Sequence, residues 1–205
     1  MTAHDPDPAA PPSSARRGAR RDELLAALVD LFLAEGFLDL GIGDLATRLR
    51  CSRTTLYQVA ASKEQIVTTV VGRYFREATR KVEQRVAAEP DPGRRVTAYL
   101  LAVAEALAPA GPRFYADLAA HAAAGEVYRR NTEAAAARVR RLVEEGVAAG
   151  RLRPVDGAFV GAAVAHLMEG IQVGTLRERT GLDDATAYRA LADLVARGLA
   201  PGAHS

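Results

Sequence analysis

The side chains best equipped for chemistry stand together between residues 53 and 58: Arg53, Thr54, Thr55, Tyr57 and Gln58. Arg, Gln and Thr offer donors and acceptors that match base edges in a DNA major groove. Ser52, just before them, suits a helix N-cap, since its hydroxyl can accept from a first-turn backbone N–H. Leu56 and Val59 give that short helix a buried side and leave the polar residues facing out. Upstream, Leu45, Ala46 and Leu49 form the apolar face of another short helix, and Ala46 is small where two helices must cross. Helix, tight turn and donor-bearing helix make a helix-turn-helix whose second helix is built to enter a major groove.

Catalytic patterns are not found. There is no His-Glu-x-x-His, no Gly-rich phosphate loop and no second cysteine for a metal site. Glu144-Glu145 and Asp183-Asp184 are adjacent carboxylates on helices, where neighbours point about 100° apart and do not converge on a substrate. Neither an enzyme nor a cofactor is expected.

The chain has 205 residues, 49% hydrophobic but only 5% aromatic, with no Trp. That composition predicts helices packed through Ala, Leu and Val, and the absence of hairpin signals makes the expected class all-α. The net charge of +2 does not announce nucleic acid, but its distribution is telling. Arg16, Arg17, Arg20 and Arg21 form one acid-free cluster, and Arg48, Arg50, Arg53 and Lys63 another. Between them, residues 22–44 carry six acids and no Lys or Arg. The first cluster reads either as a solvated tail or as a basic arm touching phosphate or minor groove. The single cysteine, Cys51, excludes an internal disulfide and fits a reducing cytoplasm. At the turn of the helix-turn-helix it reads as an apolar plug, the alternative being a redox sensor. No apolar signal region opens the chain. The longest apolar run, 158–176, contains His166, Glu169, Gln172 and three glycines, so it reads as a buried helix and not a membrane span.

Gly36-Phe37, Asp44-Leu45-Ala46, Cys51-Ser52, Thr55-Leu56-Tyr57 and Ser62-Lys63-Glu64 resemble the N-terminal domain of TetR-type transcription regulators, in detail over residues 22–74. The Leu-Tyr…Ser-Lys-Glu pairing carries most of that resemblance. Three positions depart from the family pattern. Arg50 stands where the turn usually has Gly, Ala60 replaces an aromatic, and Leu40-Gly41 replace hydroxyl residues. The resemblance implies a helix-turn-helix DNA-binding domain followed by a helical body that binds a ligand and dimerises. It also implies that Tyr57 and Lys63 contact phosphate, with Thr47 and Arg48 flanking them, while Arg53, Thr54, Thr55 and Gln58 reach base edges.

The positioning elements are about nine helices. Residues 1–12 read as a disordered tail, 13–63 as arm and DNA-binding domain, and 64–205 as the sensing and dimerising domain. Helices are predicted over 22–35, a pair through 44–59, 62–88, 94–108, 113–121, 126–149, 156–179 and 183–199. Ser62 with Gln65 makes a capping box at the head of the long fourth helix. That helix starts in the DNA-binding domain and continues into the body, as a lever would.

Gly161, Ala165 and Gly170 on the eighth helix allow another helix close approach, which offsets a cost of about 1 kcal/mol per helical glycine. The partner is either in the same chain or, as the resemblance implies, in a second copy. The homodimer interface would then comprise these three with Leu191, Leu194 and Val195 of the ninth helix. Tyr99, Phe114, Tyr115, His121, Tyr128, His166, Met168 and Gln172 are candidates for a ligand pocket, with Tyr99, Phe114, Tyr115, His166 and Gln172 put forward as its lining. Each taken singly also fits ordinary packing, and His166 also reads as a hydrogen-bonded core histidine. The apolar body favours an apolar or amphipathic organic effector. The expectation is a cytoplasmic, homodimeric repressor released by that effector from double-stranded DNA bearing an inverted repeat. Its rivals are a regulator without effector, whose DNA affinity is fixed or set by a protein partner, and a helical carrier or enzyme whose helix-turn-helix is vestigial.

Overall fold

The computed structural model describes residues 14–201, all ten of its regular elements being α-helices. They are α1 (Ser14–Glu35), α2 (Ile42–Arg48), α3 (Arg53–Tyr57), α4 (Lys63–Ala87) and α5 (Arg95–Leu107), then α6 (Pro112–Ala120), α7 (Ala122–Ala148), α8 (Gly157–Gln172), α9 (Thr175–Thr180) and α10 (Asp184–Leu199). The proposed tail, residues 1–12, lies outside the described residues, as do the side chains of Arg16 and Arg17.

Three boundaries differ from the sequence expectation, each for a local reason. The basic arm is the opening of α1, not a separate segment, because Ala and Arg are good helix formers and no proline stands between Pro12 and the end of α1. α7 starts at Ala122 because His121 caps it, its Nδ1 accepting from Ala124 N–H at 3.2 Å. The single helix expected over 156–179 is divided, since Gly174 adopts φ +84° and ends α8 in the left-handed region.

Other devices follow the sequence. Ser52 Oγ accepts from Thr55 N–H at 3.0 Å and opens α3. Ser62 Oγ accepts from Gln65 N–H at 3.2 Å and opens α4, although Gln65 reaches back to Ala61 N–H and not to that of Ser62. Arg50 takes φ +49° in the turn, a conformation glycine would adopt without strain.

The first three helices close over Leu28, Phe32, Leu45, Leu56 and Val59, and the start of α4 completes that core with Ile66 and Val67. Burying side chains of this size contributes about 1.5–3 kcal/mol each. α4 then enters the body, where it packs on α5 and α7, while α7 lies against α8 and α10 against α5. α6 joins the two regions. Phe37, after α1, stacks edge-on to Phe114 of α6 with centroids 6.1 Å apart, and Phe114 meets Tyr74 of α4 at 5.5 Å.

Candidate functional site

Two places in this frame are equipped for function: the exposed side of α3 and a cavity in the body. Arg53, Thr54, Tyr57 and Gln58 are exposed around α3, while Leu56 is fully buried beneath them. Thr55 is half-buried, and its hydroxyl sits 2.8 Å from Ser52 Oγ in the cap. Arg21 of α1 holds the other end of the helix, donating from Nε to Gln58 O at 3.3 Å and from Nη2 to Val59 O at 3.1 Å. Cations placed so satisfy the terminal carbonyls of a helix. Arg21 was legible as part of a basic cluster, but its role at the end of α3 was not, because the partners lie 37 and 38 residues away.

The flanking residues are partly engaged. Thr47 is exposed and its hydroxyl donates to Gly43 O at 3.0 Å. Arg48 is ion-paired with Glu35. Lys63 Nζ donates to Leu38 O at 2.9 Å, and an ammonium has two further donors for a phosphate. Cys51 is partly buried, and burial pushes its thiol pKa up, which works against a reactive thiolate.

The turn after α1 is bonded to α6. Asp117 is 6% exposed, and its Oδ2 accepts from Phe37 N–H at 2.5 Å and Leu38 N–H at 2.9 Å. Gly111 N–H donates to Leu33 O at 2.9 Å, and Arg113 pairs with Asp39. These contacts leave no local pattern in the chain, since an Asp within a helix ordinarily reads as solvated.

In the body, a cavity of about 170 Å³ lies between α4, α5, α7 and α8. Phe75, Val82, Val103, Leu107 and Met168 supply much of its apolar wall. Tyr99 also lines it, and burial together with the Glu83 charge pushes its phenol up to about 12. Beside Tyr99, Arg138 makes a two-pronged pair with Glu83, at 2.9 and 3.1 Å. Gln172 lines the cavity as well, its Oε1 accepting from Tyr128 OH at 2.6 Å and its Nε2 donating to Tyr188 OH at 2.8 Å.

Of the expected lining, the structure therefore brings Tyr99 and Gln172 to this cavity. Phe114 and Tyr115 sit instead in the aromatic cluster of α4 and α6, and Tyr115 lines a smaller cavity of about 40 Å³ that shares Gln172. His166 is corrected outright: it is exposed on α8, neither in the core nor in the cavity wall. One residue past Ala165 and two short of Met168, it is turned about 100° to 200° away from the buried stripe they mark. Glu83, Arg138 and Tyr188 were missed, as charged helix residues read as solvent-facing and Tyr188 lies in an otherwise ordinary amphipathic helix.

The residues expected at a dimer interface are divided between the chain's own interior and its surface. Gly161 is buried under α7 of its own chain, where an added Cβ would meet Ala136 O at 2.6 Å, and Gly170 is closed by Leu176 at 2.7 Å. Ala165 and Leu191 are buried in the chain's own interior. Val195 is half-buried, and Leu194 is 64% exposed. What α8 exposes is Phe159, at 73%, with Ala162 and His166 at helical spacing beside it.

Among the described residues no helix is long and apolar enough to cross a membrane, and no group of His, Cys, Asp and Glu could hold a metal ion. No family model and no curated protein sequence matches the chain. Solved structures do match. One from Saccharomonospora viridis, described as a transcriptional regulator in complex with choline, has a TM-score of 0.75 at 15% identity, over 90% of this chain and 100% of that one. A TetR-family transcriptional regulator from Agrobacterium tumefaciens has a TM-score of 0.71 at 16% identity, over 90% and 100%. The ketosteroid transcriptional regulator KstR2 of Mycobacterium tuberculosis has a TM-score of 0.62 at 21% identity, over 89% and 96%. The chain thus has the all-helical fold of the TetR-type transcriptional regulators.

Proposed function

We propose that the protein is a DNA-binding transcriptional regulator, a homodimeric, cytoplasmic repressor without catalytic activity, controlled by a small organic effector. Residues 13–63 form its DNA-binding unit and residues 64–205 its sensing and dimerising unit. The observation that carries this reading is α3: capped by Ser52, held from behind by Arg21, and exposing Arg53, Thr54, Tyr57 and Gln58. Arg53, Thr54 and Gln58 read bases, with Thr55 ordering the cap, while Tyr57, Lys63, Thr47 and Arg48 track the backbone. A two-fold dimer places two such helices about 34 Å apart, which requires an inverted repeat. The exposed Phe159, Ala162 and Leu194 favour α8 and α10 as the dimer face.

An effector in the cavity of about 170 Å³ contacts α4, the helix that begins in the DNA-binding unit. The choline held by the Saccharomonospora viridis structure and the ketosteroid regulation named for KstR2 favour a small organic molecule. To release DNA, it must bind the DNA-incompetent arrangement more tightly, as equal affinity for both shifts nothing.

The test is selection of binding sites from a random duplex library, followed by affinity titration at several salt concentrations. An enriched inverted repeat bound by two protomers is expected, with log affinity falling linearly against log salt. Enrichment of no sequence, or tight binding by a monomer, overturns the reading.

A further inference from the structure

Tyr115 presents a polar group that the fold leaves without use. The residue is 5% exposed, and its hydroxyl makes no well-formed hydrogen bond among the described residues, the Tyr74 phenol beside it being turned to Ala106 O at 3.5 Å. A buried hydroxyl without a partner is destabilising, and such groups are rare in native proteins. Its ring lines the small cavity of about 40 Å³, together with Gln172, Tyr188 and Asp184. One water requires roughly 10–15 Å³, so that space accepts a group of two or three heavy atoms.

The neighbours of this hydroxyl also have donors to spare. Gln172 Nε2 spends one N–H on Tyr188 OH, leaving its second. Tyr188, having accepted that bond, keeps its own O–H. The wall of the small cavity therefore carries three residues with a donor to spare: Tyr115 O–H, Tyr188 O–H and the second N–H of Gln172. Gln172 and Leu107 are also part of the wall of the larger cavity, so the two spaces share that stretch of wall. At about 170 Å³ the larger space is close to the roughly 150 Å³ that holds a benzene in an apolar protein interior.

We propose that the two cavities form one bipartite site for a compact, uncharged amphiphile, whose apolar body of benzene size fills the larger space and whose carbonyl-type acceptor takes the Tyr115 hydroxyl. This rests on the reading of the body as a sensing domain, and it specifies the chemical class that domain senses. The head group is not anionic because Asp184, paired with Arg177 at 2.9 Å, also lines the small cavity, and it is not cationic because Tyr115, Tyr188 and Gln172 have donors and not acceptors to offer it. The Asp184 charge, after burial and the other phenols, is among the causes that hold Tyr115 far above the usual phenol range, fixing it as a donor. Tyr115 thus gives up stability in the free protein for recognition in the bound one.

The experiment uses the full chain without DNA, so its outcome is independent of whether the protein binds an operator. Acetophenone is the probe. α-Methylstyrene, with CH₂ in place of the carbonyl oxygen, is its apolar isostere, and benzoate is the charged comparison. Affinities are measured by calorimetry or ligand-observed NMR on the wild type and on Tyr115→Phe. Thermal unfolding of both proteins is recorded at one protein concentration. Acetophenone is expected to bind the wild type about tenfold more tightly than either comparison compound. Tyr115→Phe abolishes that tenfold preference while raising Tm by about 2–4 °C, as removal of one unpaired buried hydroxyl should. A purely structural phenol, or one bridged by an ordered water, gives a lower Tm on substitution, and that result overturns the proposal. So does equal binding of acetophenone and α-methylstyrene, a preference that survives in Tyr115→Phe, or no binding of acetophenone at millimolar concentration.

Discussion

The join between α6 and the turn after α1 depends on one carboxylate, so Asp117→Ala is the sharpest perturbation of the fold. Asp117 Oδ2 accepts from Phe37 N–H at 2.5 Å and Leu38 N–H at 2.9 Å, in a residue 6% exposed. Hydrogen bonds to a charged group contribute about 1.5–3 kcal/mol each. Both end on one oxygen, so their losses are not additive, and Leu38 N–H is near enough to the surface to recover water. Loss of the carboxylate is therefore expected to cost about 3 kcal/mol, against a total stability of about 5–15 kcal/mol. Asp117→Asn keeps one acceptor oxygen and should cost about 1 kcal/mol. Gly36 supplies an internal check. It sits at φ +78°, and a Cβ there would lie 2.4 Å from Asp117 Oδ2 and 2.8 Å from Arg113 Cγ. Gly36→Ala carries a backbone cost of about 1–2 kcal/mol plus that clash, and Asp117→Ala removes only the Asp117 part of the clash, leaving the Arg113 contact and the backbone cost. In a double-mutant cycle by urea unfolding, at fixed protein concentration, the cost of Gly36→Ala should fall by about 1 kcal/mol in the Asp117→Ala background. A cost below about 1 kcal/mol for Asp117→Ala, or equal costs of Gly36→Ala in both backgrounds, refutes the clamp.

Arg53→Ala should lose about 1–3 kcal/mol of operator affinity and relax sequence preference, whereas Lys63→Ala should weaken all duplexes alike and flatten the salt slope; binding titrations against matched and scrambled sites separate them. Arg21→Ala withdraws two bonds from the carbonyl end of α3 without touching a base, so it should lower affinity with sequence preference intact; a relaxed preference would place Arg21 on the DNA instead. Arg50→Gly removes a left-handed strain of about 1–2 kcal/mol and adds unfolded-chain entropy of about 0.5–1 kcal/mol. Denaturation should therefore show a small net gain, and a loss would mean the Arg50 side chain has a structural partner. Asp91 has its pKa held below the ordinary 3.8, first by the Arg151 hydrogen bond and then by Gly93 N–H. A lowered folded-state value stabilises above the unfolded one and is lost as pH falls through the folded one, so Asp91→Asn should flatten the acid limb of a Tm-against-pH curve.

What the sequence made legible is local, and what it hid is long-range. Ser52 and Ser62 announced their caps because a capping hydroxyl and its N–H are three residues apart. Leu28, Phe32, Leu45 and Leu56 announced a core because burial on a helix leaves a repeat in the chain. His121 escaped notice as a cap since imidazole is an uncommon capping group. Gly174 falls within the single helix expected over 156–179, because composition alone does not separate a helical glycine from a left-handed stop. The site splits in the same way. The polar face of α3 is contiguous and was readable. The cavity draws on four helices, and Glu83 with Arg138 stand 55 residues apart, each looking like a solvated charge until the other is placed beside it. Gly161 misled for a related reason: a glycine records that something comes close, but not whether the visitor belongs to the same chain.

The N-terminal unit of α1 to α3 is attached to the body at two places, and that limits how a signal can travel. α4 passes through both regions as one helix, with Ile66 and Val67 in the first core and Phe75 and Val82 on the cavity. α6 holds the turn after α1 through Asp117 and Gly111. Between them stand Tyr74 and Phe114, in edge-to-face contact at 5.5 Å. A movement of α4 alone would shear the core of the unit against a turn fixed by α6, at a cost set by those buried bonds. A movement of both carries the unit as a body, with α3 keeping its cap and its Arg21 support. The second is the lower-energy route, because packed interiors shift between discrete arrangements more readily than they deform. Loosening the Asp117 clamp should therefore weaken communication between cavity and DNA while leaving the α3 surface itself unchanged.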